Sequence, residues 1–292
     1  MKMDVVDISG LYSTEHVSEH TLMSSEIERV VLWKKTKYQE VAIVVFKDFG
    51  LSLILDGYTQ SSVYDEYIYH ESLVHPVMVG VENPKRVLII GGGEGATLRE
   101  ALKYSTVQEA VMVDIDGELV EIAKKYLVEM HQGAFEDPRA KVVIADGAEY
   151  IRKAPDKSFD VVILDLTDPY SSEIARNLYS EQFYKEVYRV LSEKGAMVTQ
   201  AGSSFFFEKD YNWVLENVRK VFPKIMEYNV WIPTFGYACN FIIGAKNSFK
   251  ADLDAKKVDE ILKARKLKDK LKFYSGKTHI AILNMPIYRV KK

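Results

Sequence analysis

The sequence holds a single cysteine, Cys239, among 292 residues. No intrachain disulfide can form, and no cysteine-rich zinc site can be assembled. No apolar run approaches the ~18 residues of a membrane-spanning helix, so no membrane partner is expected. The opening stretch, Met1-Lys2-Met3-Asp4-Val5-Val6-Asp7, carries acids where a secretory signal has a basic region followed by an apolar one. A cytoplasmic location is therefore expected. A basic excess is also missing. Lys+Arg 39 against Asp+Glu 42 leaves a formal charge of −3, which argues against nucleic acid as a partner. What is present is ordinary for a globular protein: 47% hydrophobic and 28% charged residues, in a length that admits one large domain or two smaller ones.

Two regimes run along the chain. Up to residue 63 it reads as strands and hairpins. Val30–Trp33, Glu40–Phe46 and Leu51–Leu55 are rich in Val, Ile, Leu and Phe, with Asp56-Gly57 as a turn signal. A helix is expected over Tyr64–Val79. From Arg86 onward, short apolar strands alternate with helices. Strands are expected at Val87–Ile90, Ala110–Asp114, Val142–Ala145, Val161–Leu164 and Ala196–Gln200, and near Ile225–Trp231 and Phe241–Ile243. Helices are expected at Ala96–Tyr104, Gly117–Leu127, Gln182–Leu191, Asn212–Val221 and Asp254–Leu267, the last an exposed charged one. This alternation predicts a mainly parallel sheet covered on both faces. The expected division is a β-strand domain over 1–63 and an α/β nucleotide-binding domain over 64–292.

The strand Val87–Ile90 runs into Gly91-Gly92-Gly93-Glu94-Gly95 and then into a helix. Such a turn lets a ligand approach the backbone closely. Its spacing alone also fits a dinucleotide site. The following strands narrow the choice. Asp114 ends the second, where a carboxylate can accept from both hydroxyls of a ribose. Asp146-Gly147 ends the third, within reach of an adenine amino group. Asp165 ends the fourth, with Asp168 three residues on. Four strand ends thus bring acids to one place. A pyrophosphate would be repelled there, and no Gly-Lys-Ser/Thr stands in the turn. A cationic ligand fits: an adenosyl sulfonium, with an amine as co-substrate.

Further stretches join these: Tyr38-Gln39-Glu40, Leu55-Asp56-Gly57-Tyr58-Thr59-Gln60, Tyr69-His70-Glu71-Ser72-Leu73-Val74-His75-Pro76 and Val198-Thr199-Gln200-Ala201-Gly202. Together, from Tyr38 to Tyr288, the chain resembles the polyamine aminopropyltransferases, which include spermidine, spermine and thermospermine synthases. The resemblance implies a Rossmann-like fold of the methyltransferase type, a small N-terminal β domain and a homodimer or homotetramer. It implies decarboxylated S-adenosylmethionine as co-substrate, with no permanently bound cofactor and no metal. Gln39, His70, Gly91, Gly93, Glu94, Asp114, Asp146 and Gly147 would hold that co-substrate. Asp165 would be the proton acceptor, and Tyr69, Asp168 and Tyr237 would line the channel of the acceptor polyamine.

Some positions depart from the usual spermidine-synthase pattern. Glu94, Asp114 and His70 stand where Asp, Glu and Gln are typical, Leu166 follows Asp165, and a different loop occupies Tyr170–Arg176. Glu94, Asp114 and Leu166 are similar to thermospermine synthases. With Glu173 as a possible extra carboxylate, they tilt the expected acceptor toward spermidine, with putrescine and agmatine as alternatives. The rival readings are a methyltransferase, partly mimicked by Asp168-Pro169-Tyr170, and a non-catalytic polyamine-binding protein. A zinc site at His70 and His75 is rejected, because five residues turn a helix by ~140° and separate the two rings.

Overall fold

Residues 10–169 and 173–289 are described by a computed structural model. The first unit is a five-stranded antiparallel sheet in sequence order: β1 (Leu11–Ser18), β2 (Thr21–Lys35), β3 (Glu40–Phe46), β4 (Gly50–Leu55) and β5 (Tyr58–Ser62). The Asp56-Gly57 signal makes the β4–β5 turn, pairing Leu55 with Tyr58. Both loop residues have positive φ, 49° and 83°. A two-residue hairpin turn needs that handedness, and Asp-Gly supplies it at low cost. Strand β1 falls in the stretch read only generally as strands and hairpins, and β2 is far longer than Val30–Trp33. Tyr12, Thr14 and His16 alternate polar and aromatic side chains on an exposed ribbon, so burial leaves no apolar period there.

Helix α1 (Glu66–Gly80) follows and is buried on nearly every side. Asp65, not Tyr64, precedes its first turn. Pro76 lies inside it and removes the amide that would bond the Ser72 carbonyl. The Tyr228 hydroxyl donates to that carbonyl at 2.8 Å instead, so the helix continues without an orphaned acceptor. One turn below, the Glu71 carboxylate is fully buried and accepts three backbone amides, from Lys272, Phe273 and Tyr274, at 2.7–2.8 Å. The C-terminal segment is thereby fastened to α1.

The second sheet alternates with helices, in the order β6 (Arg86–Gly91), α2 (Ala96–Leu102), β7 (Glu109–Asp114), α3 (Gly117–Tyr126), the short α4 (Val128–His131), β8 (Ala140–Ile144), α5 (Gly147–Lys153) and β9 (Phe159–Asp165). Then come α6 (Glu173–Asn177), α7 (Glu181–Val190), β10 (Leu191–Gln200), α8 (Glu208–Arg219), β11 (Lys224–Ile232), β12 (Tyr237–Ala245), α9 (Ala255–Ala264) and α10 (Gly276–Asn284). The strand order is β11-β12-β10-β9-β6-β7-β8. The pairings among β10, β9, β6, β7 and β8 are parallel, and β12 and β11 close one edge antiparallel. Apolar side chains pack against both faces, as the uninterrupted Val and Ile runs require. The charged helix near the C-terminus is α9; it stops at Ala264 and turns Val258 and Leu262 inward. Helix α10 was not anticipated, because its mixed residues have no strong apolar period. No described helix is long and apolar enough to cross a membrane.

Candidate functional site

The chain adds β7 and β8 on one side of β6 and then β9 on the other, so a crevice opens at the carboxyl ends of these parallel strands. Gly91 takes φ 81°, and a Cβ there would sit 2.1 Å from the Asp165 carbonyl oxygen. Only glycine permits that approach, which the Gly92 amide completes by donating to the same oxygen at 3.1 Å. A Cβ on Gly93 would lie 2.8 Å from Asp114 Oδ2. The turn is therefore pressed between the acids that end β7 and β9.

Asp165 is held on both oxygens. Tyr69 donates to Oδ1 at 2.8 Å and Thr97 to Oδ2 at 2.6 Å. Burial, first, and the charge of Glu94 push its carboxyl up to about 6, against the opposing His70, Thr97 and Tyr69. Asp114 is pushed up to about 6 as well, mainly by burial, with Asp116, Glu94 and Asp165 adding to it. Its Oδ1 accepts the Asp116 amide at 2.8 Å. Asp116 caps α3 and takes hydrogen bonds from Thr36 Oγ1 (2.7 Å) and Gln39 Nε2 (2.9 Å). The β2–β3 loop of the first sheet is thus docked over the nucleotide side of the crevice. Asp146 caps α5 through Glu149, and Gly147 packs against Ile90, which a Cβ would approach to 2.4 Å.

His70 is placed differently from a ligand-facing side chain. It is 1% exposed, and both ring nitrogens are occupied. Nδ1 meets the Glu66 carbonyl and Glu66 Oε2, each at 2.8 Å, and Nε2 meets Glu94 Oε1 at 2.8 Å. His70, Glu94 and Asp165 each bring a nitrogen or oxygen within 4.8 Å of the others. His75 points elsewhere, to Glu100 and Tyr104.

Beside Asp165 lies an aromatic wall. The Tyr69 ring is 5.8 Å from Phe235, and Phe235 is 5.7 Å from Tyr237. Phe206 extends the wall at 6.5 Å from Tyr237. Asp65 fastens this wall to α1, accepting the Thr234 amide at 2.7 Å and its hydroxyl at 2.5 Å. The loop bearing Asp168 is braced by Tyr179, which donates to the Thr167 carbonyl, and by Gln200, which donates to the Leu166 carbonyl. Residues 170–172 of the changed loop lie outside the described residues, as does the Glu173 side chain.

The structure brings Tyr69, Gly91, Gly93, Glu94, Asp114 and Asp165 together at this crevice, encloses His70 behind Glu94, and ties Gln39 to Asp116 beside it. Thr97, Phe235, Asp116 and Gln200 were not selected as site residues by sequence reasoning. Gln200 stood within a motif noted above, and Asp116 lies two residues after Asp114. Phe235 stands in Pro233-Thr234-Phe235-Gly236-Tyr237, the stretch from which Tyr237 was chosen with its neighbours left open, whereas Thr97 carries no local signal because its partner is distant in the chain.

Residues 66–255 match the model of the spermine/spermidine synthase domain, and residues 11–62 that of the spermidine synthase tetramerisation domain. A polyamine aminopropyltransferase of Pyrobaculum islandicum is 58% identical over 289 residues, 98% of each chain. One from Pyrobaculum calidifontis is 54% identical over 278 residues, 94% of this chain and 95% of that one. A solved spermidine synthase in complex with the transition-state analogue AdoDATO superposes with TM-score 0.88 at 34% identity, covering 98% of this chain and 96% of the other.

Proposed function

Since the chain belongs to the spermine/spermidine synthase family, we propose that its crevice transfers the aminopropyl group of decarboxylated S-adenosylmethionine to an aliphatic polyamine. The observation that carries this reading is the convergence of Glu94, Asp114 and Asp165 at one crevice, beside the hydroxyl of Tyr69. Asp114 receives the ribose, and Asp146-Gly147 with Gln39 frame the adenine side. Glu94 receives the terminal ammonium of the aminopropyl arm. Asp168 and the wall of Tyr69, Phe235 and Tyr237 line the acceptor channel.

In the reaction, the acceptor nitrogen attacks the methylene carbon bonded to the sulfonium. A carbon–nitrogen bond forms, the carbon–sulfur bond breaks, and its electron pair neutralises the sulfur of departing methylthioadenosine. An alkylammonium has a pKa of about 10.4 and no free lone pair. Asp165 takes the proton, and its carboxyl, raised to about 6, lies closer to the amine than an ordinary aspartate would. Tyr69 and Thr97 keep the oxygens fixed, so the nitrogen is held in line.

We assign spermidine as the acceptor, on Glu94, Asp114 and Leu166 and the changed loop after Pro169. A diamine is the second reading, favoured by the likeness to a solved spermidine synthase. We further assign the first sheet to assembly, as a tetramer, on the family model it matches. Mass spectrometry after incubation with decarboxylated S-adenosylmethionine and equimolar putrescine, agmatine and spermidine tests the activity and the acceptor. Methylthioadenosine and aminopropylated spermidine are expected. A putrescine preference in kcat/KM overturns the triamine acceptor, and absence of transfer to any amine overturns the activity.

A further inference from the structure

A line of buried charge leads away from the crevice through residues that no substrate contacts in the reading above. Behind Glu94 stands His70, behind His70 stands Glu66, and Arg99 of α2 grips Glu66 with both terminal nitrogens at 3.0 and 2.8 Å. Arg99 also donates to the Met130 carbonyl and pairs with Glu100 at 2.7 Å. Glu66, His70 and Arg99 are 4%, 1% and 6% exposed. Charges so deep persist only when paired and fully hydrogen-bonded, and removing one partner strands the other.

We infer that Glu66 and Arg99 are positioning residues that lock His70 as a doubly protonated ring, and that this ring holds Glu94 aimed at the ammonium of the aminopropyl arm. The inference rests on the aminopropyl reading above. Two acceptors on one side and an ionised Glu94 on the other favour the doubly protonated ring. Nδ1 faces only acceptors, a carbonyl and a carboxylate oxygen, so it carries a proton. Nε2 faces the Glu94 carboxylate and carries the second. Burial pushes the imidazolium down, but the two carboxylates outweigh it and raise it to about 10. Asp65 and Asp165 add negative charge nearby, and Tyr69 meets the ring edge-on at 5.1 Å. Without the ring, Glu94 would face Asp165 across the crevice with no fixed donor, and like charge would turn it aside. His70 therefore acts through Glu94, not on the co-substrate.

Methylthioadenosine separates this role from a merely structural one, because it shares the adenosyl moiety and lacks the ammonium. Wild-type protein is expected to bind decarboxylated S-adenosylmethionine more tightly than methylthioadenosine in calorimetry. Glu66→Gln should weaken the former on the order of tenfold, the scale of one charge-assisted contact, and leave the latter within about twofold. His70→Gln, which keeps one donor for Glu94, should recover most of the preference. Both ring nitrogens of His70 should stay protonated at pH 8 in ¹⁵N spectra of the free wild-type protein. A wild type without preference between the two ligands sinks the aminopropyl reading. Preserved wild-type preference with Glu66→Gln unchanged, or with both ligands weakened alike, sinks only the positioning role. A neutral His70 at pH 8 does the same, even if Glu66→Gln cannot be folded.

Discussion

Asp165 illustrates how much a single carboxylate depends on groups far from it in sequence. Its raised pKa predicts that kcat/KM of the free enzyme climbs with pH through an inflection near 6, as the carboxylate becomes able to accept a proton. Asp165→Asn should lower turnover on the order of 10²–10⁴-fold and abolish that inflection. Thr97→Val offers a finer check. The Thr97 hydroxyl favours the ionised form, so removing it should move the acid limb to higher pH, while far-ultraviolet dichroism stays unchanged. An unmoved limb would assign the inflection to another group. The acids themselves were legible in the sequence, because each stands immediately after a short apolar run, where a parallel sheet must place its ligand. Thr97 was not, since nothing in a helix sequence announces which neighbouring strand end it faces. His70 was legible as a motif residue. Its occupation by two glutamates was not, because that depends on how α1 rotates against α2.

The elements behave in the same way. The glycine turn was readable because φ near 80° at Gly91 and contact with the Asp165 carbonyl both demand glycine. Gly91→Ala should therefore cost at least ~2 kcal/mol from backbone conformation and collision, and lower the melting temperature by several degrees in calorimetry. Helix α1 depends on its charged pairs. With His70 raised to about 10 from an ordinary 6.5, the stability it contributes is complete below about pH 6.5 and is lost as pH rises through about 10. Urea melts at pH 6.5 and pH 10 should show a smaller loss in His70→Gln than in the wild type, and equal losses would refute the charged ring. The bounds of strand β1 and the existence of helix α10 escaped the sequence reading for a common reason. Each is stabilised by what lies across from it, β2 for one and the α9 and β11 surfaces for the other, with no strong apolar period of its own.

At the scale of the whole molecule, the first sheet leaves apolar side chains in water. Trp33 is 68% exposed, Leu11 and Leu22 57% each, and Tyr12 48%. Side chains of this size on one small sheet are what an assembly surface presents. Leu22→Glu with Trp33→Glu should yield smaller particles in sedimentation velocity, and particles of wild-type size would place the interface elsewhere. The same sheet reaches the crevice through Gln39 and Asp116, so dissociation should also raise KM for the adenosyl co-substrate.

The clamp on Glu71 has a consequence for how the chain is made. The ribosome delivers this glutamate 201 residues or more before the three amides that receive it. Throughout that interval, the helix carrying Tyr69 and His70 has an acid that cannot be buried without a partner. The helix can therefore bury this acid with its partners only once Lys272–Tyr274 are available, and a chain truncated before Lys272 should lose stability in urea melts and turnover together.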